Sequence, residues 1–240
     1  MKLDLNCDLG EGEPPNRTRA LMRWITSANV ACGGHAGNLK TMEMCVRFGK
    51  QHGVRLGAHP GSWNRNDFGR GHVQIAPAEL ELLLLHQVSA FDRIARANGM
   101  CLHHVKLHGA LYHASEEDEN LAKVYVGTVQ RFWPRAKIYA RAGGQVARIA
   151  RHLNVRVWEE AFADRAYRDD GSLVPRNEPG AVVTSIRAVR ERVRQIIARN
   201  EVETVSGQPI RLRPQTICIH SDTPHAVEFA RTAAKELEIQ

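Results

Sequence analysis

The chain has 240 residues, of which 43% are hydrophobic and 25% charged, values typical of a folded globular protein and not of a disordered one. The sequence has no run of about 18 apolar residues that could cross a membrane, and Met1–Asn6 turns polar too early for a signal peptide, so we expect a cytoplasmic protein. Five scattered cysteines without a C-x-x-C pair predict reduced thiols.

The formal net charge is +7, which raises the question of nucleic acid, a membrane surface or an acidic substrate as partner. Aromatic residues make up only 6% of the chain and are not interleaved with the basic ones. The densest basic stretch, Arg187–Arg199, surrounds an apolar stripe at helical spacing, which is typical of the solvated face of an outer helix. We therefore expect neither nucleic-acid nor membrane binding.

Short strand-like runs alternate with helical patterns along the chain. The predicted strands are Leu3–Cys7, Ala28–Cys32, Val54–Ala58, Cys101–Lys106, Lys137–Ala140, Val155–Glu159 and Thr216–His220. The predicted helices are Asn38–His52, one from Pro77 closed by Gly99, Ser115–Phe132 with Ser115 as its cap, Gly144–His152, Thr184–Asn200, and a last one opened by Thr223–Pro224. About seven β/α units predict an α/β fold with a parallel sheet in a single domain, residues 1–240. The pattern alone does not decide between a closed barrel and a doubly wound sheet.

Polar and titratable side chains follow almost every predicted strand at its carboxyl end. They are Asn6, Asp8 and Glu11; His35; His59; His104, Lys106 and His108; Glu159, Glu160, Asp164 and Arg165; and His220 and Asp222. In a parallel barrel these ends converge on one mouth, where such folds hold their active sites. Two simpler explanations stay open: Asn6 and Asp8 as loop caps, and Glu159 with Arg165 as a structural ion pair. The histidines predicted to be surface or helix-end residues are His52, His72, His86, His113 and His152.

The sequence lacks the common motifs for binding nucleotides. Leu39 stands where a phosphate-binding loop requires the glycine before Lys40, and Gly10-Glu11-Gly12 continues without the third glycine of the dinucleotide fingerprint. By residue type, Asp8, His35 and His59 could form an open, zinc-like catalytic metal site, although their spacing is not diagnostic.

Six segments around the strand-end residues, in order and with similar spacing, resemble the motifs of the LamB/YcsF family. They are Leu5–Glu11, Ser27–Gly37, Gly57–Gly61, His104–Tyr112, Phe162–Tyr167 and Ile217–Pro224. The resemblance implies a seven-stranded, TIM-like (β/α) barrel of the glycoside hydrolase/deacetylase type, related to metal-dependent polysaccharide deacetylases. It also implies a 5-oxoprolinase: ATP-dependent hydrolysis of the lactam 5-oxoproline to L-glutamate, with separate B and C subunits and ATP used at the level of the complex.

On this resemblance we assign expected roles to the strand-end residues. Asp8, His35 and His59 would position a divalent metal or the attacking water, and Lys106 and His108 would stabilise charge on the amide oxygen. Glu159, His220 and Asp222 are candidates for proton transfer. Asn6, Glu11, Asp164 and Arg165 are the expected substrate-binding residues, with Arg165 on the substrate carboxylate.

The chain also departs from the family's usual pattern. Members of that family usually have an aromatic residue at the position of Gly34, Asp-Pro at Asn38-Leu39, proline at Leu107 and glycine at Ser221. Two alternatives to a 5-oxoprolinase component therefore stay open: a stand-alone metal-dependent deacetylase or amidohydrolase on the same barrel, and a non-catalytic scaffold subunit.

Overall fold

Seven parallel strands close a barrel in the computed structural model, which describes residues 3–238. In chain order the strands are β1 (Asp4–Leu9), β2 (Ser27–Ala31), β3 (Arg55–His59), β4 (His104–Val105), β5 (Lys137–Arg141), β6 (Val157–Phe162), β7 (Glu201–Glu203), β8 (Pro209–Arg211) and β9 (Thr216–His220). The barrel follows the order β1-β2-β3-β4-β5-β6-β9, while β7 and β8 form a separate antiparallel hairpin. The predicted seven-stranded barrel is confirmed.

Helices connect most of the barrel strands. They are α1 (Pro15–Met22), α2 (Leu39–His52), α3 (Pro77–Ala97), α4 (Gly109–Glu117), α5 (Glu119–Phe132), α6 (Gln145–His152), α7 (Ile186–Arg199) and α8 (Ala226–Glu236). Within the described residues no helix is both long and apolar enough to cross a membrane.

Local sequence explains where α2 and α3 begin and end. Asn38 caps α2 through a capping box with Thr41, and Gly53 ends the helix in the left-handed region with φ 67°. Pro77 opens α3, and Gly99 follows it with φ 72°, as predicted. The asparagine at position 38 is thus a helix cap on the surface.

Two predicted helix starts are wrong, and each has a physical reason. Asp118, whose carboxylate accepts hydrogen bonds from two amides of the first turn of α5, splits the predicted Ser115–Phe132 helix in two. Ser115 lies inside α4 and donates to the carbonyl of Tyr112. Thr223 and Pro224 precede α8 without capping it, because the Thr223 hydroxyl donates to Asp164.

Two predicted strands also differ from the structure. The strand predicted at Cys101–Lys106 is reduced to His104–Val105. The strand predicted at Val155–Glu159 begins at Val157, because the Val155 amide bonds back to Ala150 and closes the turn after α6. Since β6 then runs on to Phe162, Glu160 lies in mid-strand.

Alternation along β1 separates an apolar core from a polar interior. Leu5, Cys7 and Leu9 are fully buried in the hydrophobic cluster that also includes the inner faces of the helices. Asp4, by contrast, lies inside the barrel and accepts hydrogen bonds from five side chains: Thr26, Ser27, Arg55, Tyr139 and Thr216. Polar interior positions continue up β1 to the carboxyl end of the barrel.

Candidate active site at the carboxyl ends of the strands

Strand register brings the predicted residues to one level of the barrel. Asp8 on β1 pairs with His220 on β9 and with Asn29 on β2, and Ala31 on β2 pairs with His59 on β3. Asp8 and His59 are almost fully buried, with 2% and 1% of their surface exposed. Because all the barrel strands are parallel, the loops that follow them meet at this same end.

Three histidines converge on the carboxylate of Glu11. Glu11 Oε1 lies 2.9 Å from His35 Nε2, 3.0 Å from His108 Nδ1 and 3.6 Å from His59 Nε2. The rings of His35 and His108 stack with centroids 3.5 Å apart, and His59 meets both edge-on. We call Glu11, His35, His59 and His108 the histidine cluster.

Backbone carbonyls determine the proton positions on two of these rings. His59 Nδ1 lies 2.8 Å from the carbonyl of Lys106, and His108 Nε2 lies 2.9 Å from the carbonyl of Phe68. A carbonyl oxygen only accepts, so both nitrogens carry a proton and donate it. The other two nitrogens, His59 Nε2 and His108 Nδ1, are 3.0 Å apart and turn lone pairs towards each other and towards Glu11. Such a contact requires an additional proton or a cation.

The histidine cluster has the composition and orientation of a metal site. Its four ligand atoms all lie within 4.8 Å of one another. Metal-binding histidines usually donate their second N–H to a carbonyl or carboxylate, as His59 and His108 do. Within residues 3–238, Glu11 Oε2 and His35 Nδ1 are buried without a hydrogen-bond partner. These four residues could therefore hold a divalent cation.

The pKa shifts of three residues in this cluster favour the forms that bind metal. Burial lowers the pKa of His35 to about 4 and also lowers the pKa of His108. Burial by itself would raise the pKa of Glu11, but His108 and His35 hold that pKa well below its usual range. Neutral imidazoles and an ionised carboxylate are the ligating forms. For His59, burial would lower the pKa, but the charges of Asp8 and Glu11 raise it.

A second buried group surrounds the amine of Lys106. Its Nζ lies 3.1 Å from Asp8 Oδ1, 3.0 Å from Glu160 Oε1 and 3.1 Å from Cys218 Sγ, so its three N–H groups are all engaged. Burial alone would lower the pKa of Lys106, but the charges of Asp8, Cys218 and Glu160 raise it well above its usual value. Lys106 is therefore a buried cation held by two carboxylates.

A third group joins His220 to Asp164. Asp164 Oδ1 lies 2.9 Å from His220 Nδ1, while Oδ2 accepts from the His220 amide and the Thr223 hydroxyl, each at 2.9 Å. Burial opposes ionisation of Asp164, yet His220 and these hydrogen bonds lower its pKa to about 2. The other ring nitrogen, Nε2, lies 3.7 Å from Asp8 Oδ2, which is itself 3.4 Å from His59 Nε2. Asp8 thus contacts all three groups.

Some predicted site residues lie elsewhere. The structure does not bring Glu159 to the mouth: it bonds to Arg151 and to the Gly143 amide, and within residues 3–238 it forms no ion pair with Arg165. Arg165 donates to the carbonyls of Val174 and Ala181. Asp222 lies at the rim, 2.5 Å from Arg70 Nη2 and 3.3 Å from Arg176 Nη1. Asn6 lies below the mouth and donates to Glu160 and Thr216.

Sequence reasoning did not assign a role to Glu160 or Asn29, both of which face the interior. Asn29 donates to Asp8 Oδ1 at 2.6 Å and accepts from His104 Nε2 at 2.6 Å. Counting by twos from Asp164 along β6 would have selected Glu160 in place of Glu159. For Asn29, the signal was a polar residue inside an otherwise apolar strand.

Two glycines allow close approach around the cluster. A Cβ on Gly61 would lie 2.2 Å from His35 Nδ1, so only glycine lets the ring take its place. A Cβ on Gly34 would lie 2.4 Å from the Gly61 carbonyl and 2.6 Å from the amide of Gln87. Gln87, bonded to both backbone groups of Gly61, fills the space beside position 34.

Comparisons with known proteins agree over nearly the whole chain. Residues 3–240 match the model of the LamB/YcsF family. The chain is 41% identical to the A subunit of 5-oxoprolinase from Pyrococcus furiosus, over 99% of this chain and 94% of the relative. It is 39% identical to the A subunit of 5-oxoprolinase from Haemophilus influenzae strain PittEE, over 99% of this chain and 96% of the relative. Among solved structures it is similar to the lactam utilization protein from Thermus thermophilus, with a TM-score of 0.90, 36% identity and coverage of 99% and 96%.

Proposed function

Because the chain belongs to the LamB/YcsF family, we propose that it is one subunit of an ATP-dependent 5-oxoprolinase, which hydrolyses the lactam of 5-oxoproline to L-glutamate together with separate B and C subunits. Two relatives of nearly the same length are named as the A subunit of 5-oxoprolinase, and a similar solved structure is named for lactam utilization. The observation that carries the proposal is the position of Asp8, shared by the histidine cluster, Lys106 and the His220–Asp164 pair. ATP use is assigned to the complex.

His220 is the proposed general base. Asp164 holds the proton on Nδ1, which leaves the lone pair of Nε2 directed towards Asp8 and the mouth. There Nε2 takes a proton from the attacking water as its oxygen bonds to the lactam carbonyl carbon. When the ring C–N bond breaks, the same nitrogen returns the proton to the leaving amine. Asp164 acts through His220 as a positioning residue.

The histidine cluster is the proposed site of a divalent metal. Glu11, His35, His59 and His108 would hold it, since the tautomers of His59 and His108 already turn lone pairs inward. A metal bound there would supply Lewis-acid polarisation of the lactam carbonyl oxygen. Asp8 lies beside this set through His59 Nε2 and orients the water between the cluster and His220.

Lys106 and His108 have different proposed roles from those expected on resemblance. The three N–H groups of Lys106 are engaged by Asp8, Glu160 and Cys218, so the residue holds Asp8 ionised and in place. His108 donates its N–H to the Phe68 carbonyl and turns a lone pair inward. Neither side chain has an N–H left for an oxyanion, so we assign both to positioning and metal binding.

An activity assay on 5-oxoproline with ATP tests the function, with and without co-expressed B and C subunits, by measuring glutamate and ADP. We expect glutamate from the complete set of subunits. Asp8→Asn and His59→Ala should each lower the rate at least about 100-fold. His152→Ala, at an exposed position on α6, is the control and should leave the rate unchanged. If Asp8→Asn and His59→Ala both keep the ATP-dependent activity, the proposed site is wrong.

The metal-type cluster also favours a second candidate, a stand-alone metal-dependent deacetylase or amidohydrolase. That candidate predicts turnover by the purified chain without ATP or partners, with stoichiometric metal by elemental analysis. A scaffold role predicts a third result: variants of the mouth leave the activity of the complex unchanged, while surface variants prevent assembly.

A further inference from the structure

Three arginines from two loops meet at the rim of the barrel mouth. Arg70 lies in the loop between β3 and α3, and Arg165 and Arg176 lie in the loop between β6 and α7. Asp222, which follows β9, accepts from both Arg70 Nη2 and Arg176 Nη1 through the same oxygen, Oδ2. Burial, together with repulsion from Arg176 and Arg70, lowers the pKa of Arg165 to about 10, as expected for guanidinium groups that lie close together.

Positive charge exceeds negative charge in this group. Asp164 is ionised and bonded to His220 and Thr223, and Asp222 is bonded to Arg70 and Arg176. These two carboxylates carry two negative charges against the three positive charges of Arg70, Arg165 and Arg176. An added anion would restore the balance.

Arg176 has unused hydrogen-bonding capacity directed away from water. Its Nη1 is bonded to Asp222, while Nη2 is buried and, within the described part of the chain, has no hydrogen-bond partner. The planar fork of a guanidinium matches the paired oxygens of a carboxylate or phosphoryl group. An oxyanion would supply the missing acceptor for Nη2.

The arginine group adjoins the proposed reacting centre. The guanidinium carbon of Arg70 lies 4.6 Å from the centre of the Phe68 ring, and that ring lies 5.6 Å from those of His35 and His108. In 5-oxoproline only the ring nitrogen and one carbon separate the lactam carbonyl from the carboxylate. One small molecule can therefore direct its carbonyl to the mouth and its anionic group to the rim.

We propose that Arg70, Arg165 and Arg176 form an oxyanion subsite that binds an anionic group of the substrate, either its carboxylate or a phosphoryl group. Arg176 supplies the free N–H groups, and Asp222 aligns Arg176 with Arg70. Arg165 adds positive charge, while its own N–H groups hold the loop through Val174 and Ala181. The nature of the substrate rests on the proposed function.

Calorimetric titration of the full chain, alone and in the co-expressed complex, tests this subsite with three probes. The probes are 5-oxoproline, 2-pyrrolidinone, which has the same ring without the carboxylate, and inorganic phosphate. The wild type should bind 5-oxoproline more tightly than 2-pyrrolidinone. Arg176→Gln should lower the affinity for 5-oxoproline about 10-fold or more and leave the affinity for 2-pyrrolidinone unchanged, because only the charged probe loses a charge-assisted hydrogen bond.

The phosphate titration separates the two sources of the anion. If phosphate competes with 5-oxoproline and Arg176→Gln abolishes the competition, the subsite accepts a phosphoryl group. If phosphate does not compete while discrimination against 2-pyrrolidinone still depends on Arg176, the subsite recognises the carboxylate. The matched control is Arg168→Gln in the same loop, whose side chain is 47% exposed and pairs with Glu178. This variant should bind every probe as the wild type does.

Arg70→Gln, with circular dichroism as the folding check, is the second variant in case Arg176→Gln does not fold. Unchanged binding in folded Arg176→Gln or Arg70→Gln overturns the subsite. An equal loss of affinity for 5-oxoproline and 2-pyrrolidinone also overturns it, as does the absence of binding of any probe by the wild type. Arginine-dependent binding without glutamate formation would refute the 5-oxoprolinase but support the subsite. Glutamate formation that neither variant changes would support the 5-oxoprolinase and refute the subsite.

Discussion

Replacing Lys106 with methionine would leave the carboxylates of Asp8 and Glu160 buried without their shared cation. The amine lies 3.1 Å and 3.0 Å from their oxygens. At an effective dielectric constant of about 20, each contact corresponds to roughly 5 kcal/mol of attraction, most of it offset by the cost of desolvating the charges. Breaking a buried pair from one side costs about 3–5 kcal/mol, so we expect the free energy of unfolding to fall by about that amount.

Urea denaturation followed by circular dichroism at pH 7 measures this change. Burial already raises the pKa of Glu160, and without the amine that carboxyl should take up a proton in the folded state. A raised pKa in the folded state gives stability that is present at low pH and lost as the pH rises. The loss of unfolding free energy in Lys106→Met, relative to the wild type, should therefore become smaller as the pH is lowered. At pH 7 the double variant Lys106→Met/Glu160→Gln should be more stable than Lys106→Met.

Lys123→Met is the matched control, because Lys123 pairs with Glu119 on the surface, where the two side chains are 57% and 62% exposed. It should change the free energy of unfolding by less than about 1 kcal/mol. The electrostatic reasoning is refuted if Lys106→Met costs no more than this control. If the double variant is no more stable than the single one, Glu160 is not the stranded charge.

Two further predictions concern His220 and the histidine cluster. Asp164 has a lowered pKa of about 2, so the stability it contributes is present above the unfolded pKa of about 3.9 and is lost as the pH falls towards 2. Asp164→Asn should therefore lower the free energy of unfolding by about 2 kcal/mol at pH 7 and make that free energy less dependent on pH in the acid range. It should also lower kcat with little change in KM. An unchanged pH dependence in the acid range would contradict this. Gly61→Ala puts a Cβ 2.2 Å from His35 Nδ1 and should reduce the divalent metal retained after desalting, measured by elemental analysis, whereas Gly127→Ala, with nothing within 4 Å, should not. Equal metal in both variants would count against the cluster as the metal site.

Local patterns in the sequence predicted the barrel strands, most of the helices and the end of the barrel where the candidate site lies. Alternating strand and helix periods predicted the seven parallel strands, because these periods report which face of each segment is buried. Polar residues at the strand ends, such as Asp8, His59 and His220, marked the mouth, since an apolar strand has no packing reason to end in titratable groups. Caps were less predictable: Thr223 has the residue type of a helix cap, yet its hydroxyl bonds to Asp164.

The sequence by itself determined the order of the barrel strands and the end of the barrel that holds the polar residues. Only the tertiary structure decided which of these residues meet. Barrel closure brings Asp8, Lys106 and Glu160 into contact although they lie far apart in the chain, and it leaves Glu159 on the outer side with Arg151. Carbonyls of neighbouring loops select the tautomers of His59 and His108. The physical reason is that burial and period are local properties of a segment, whereas charge pairing and proton position depend on atoms contributed by other segments.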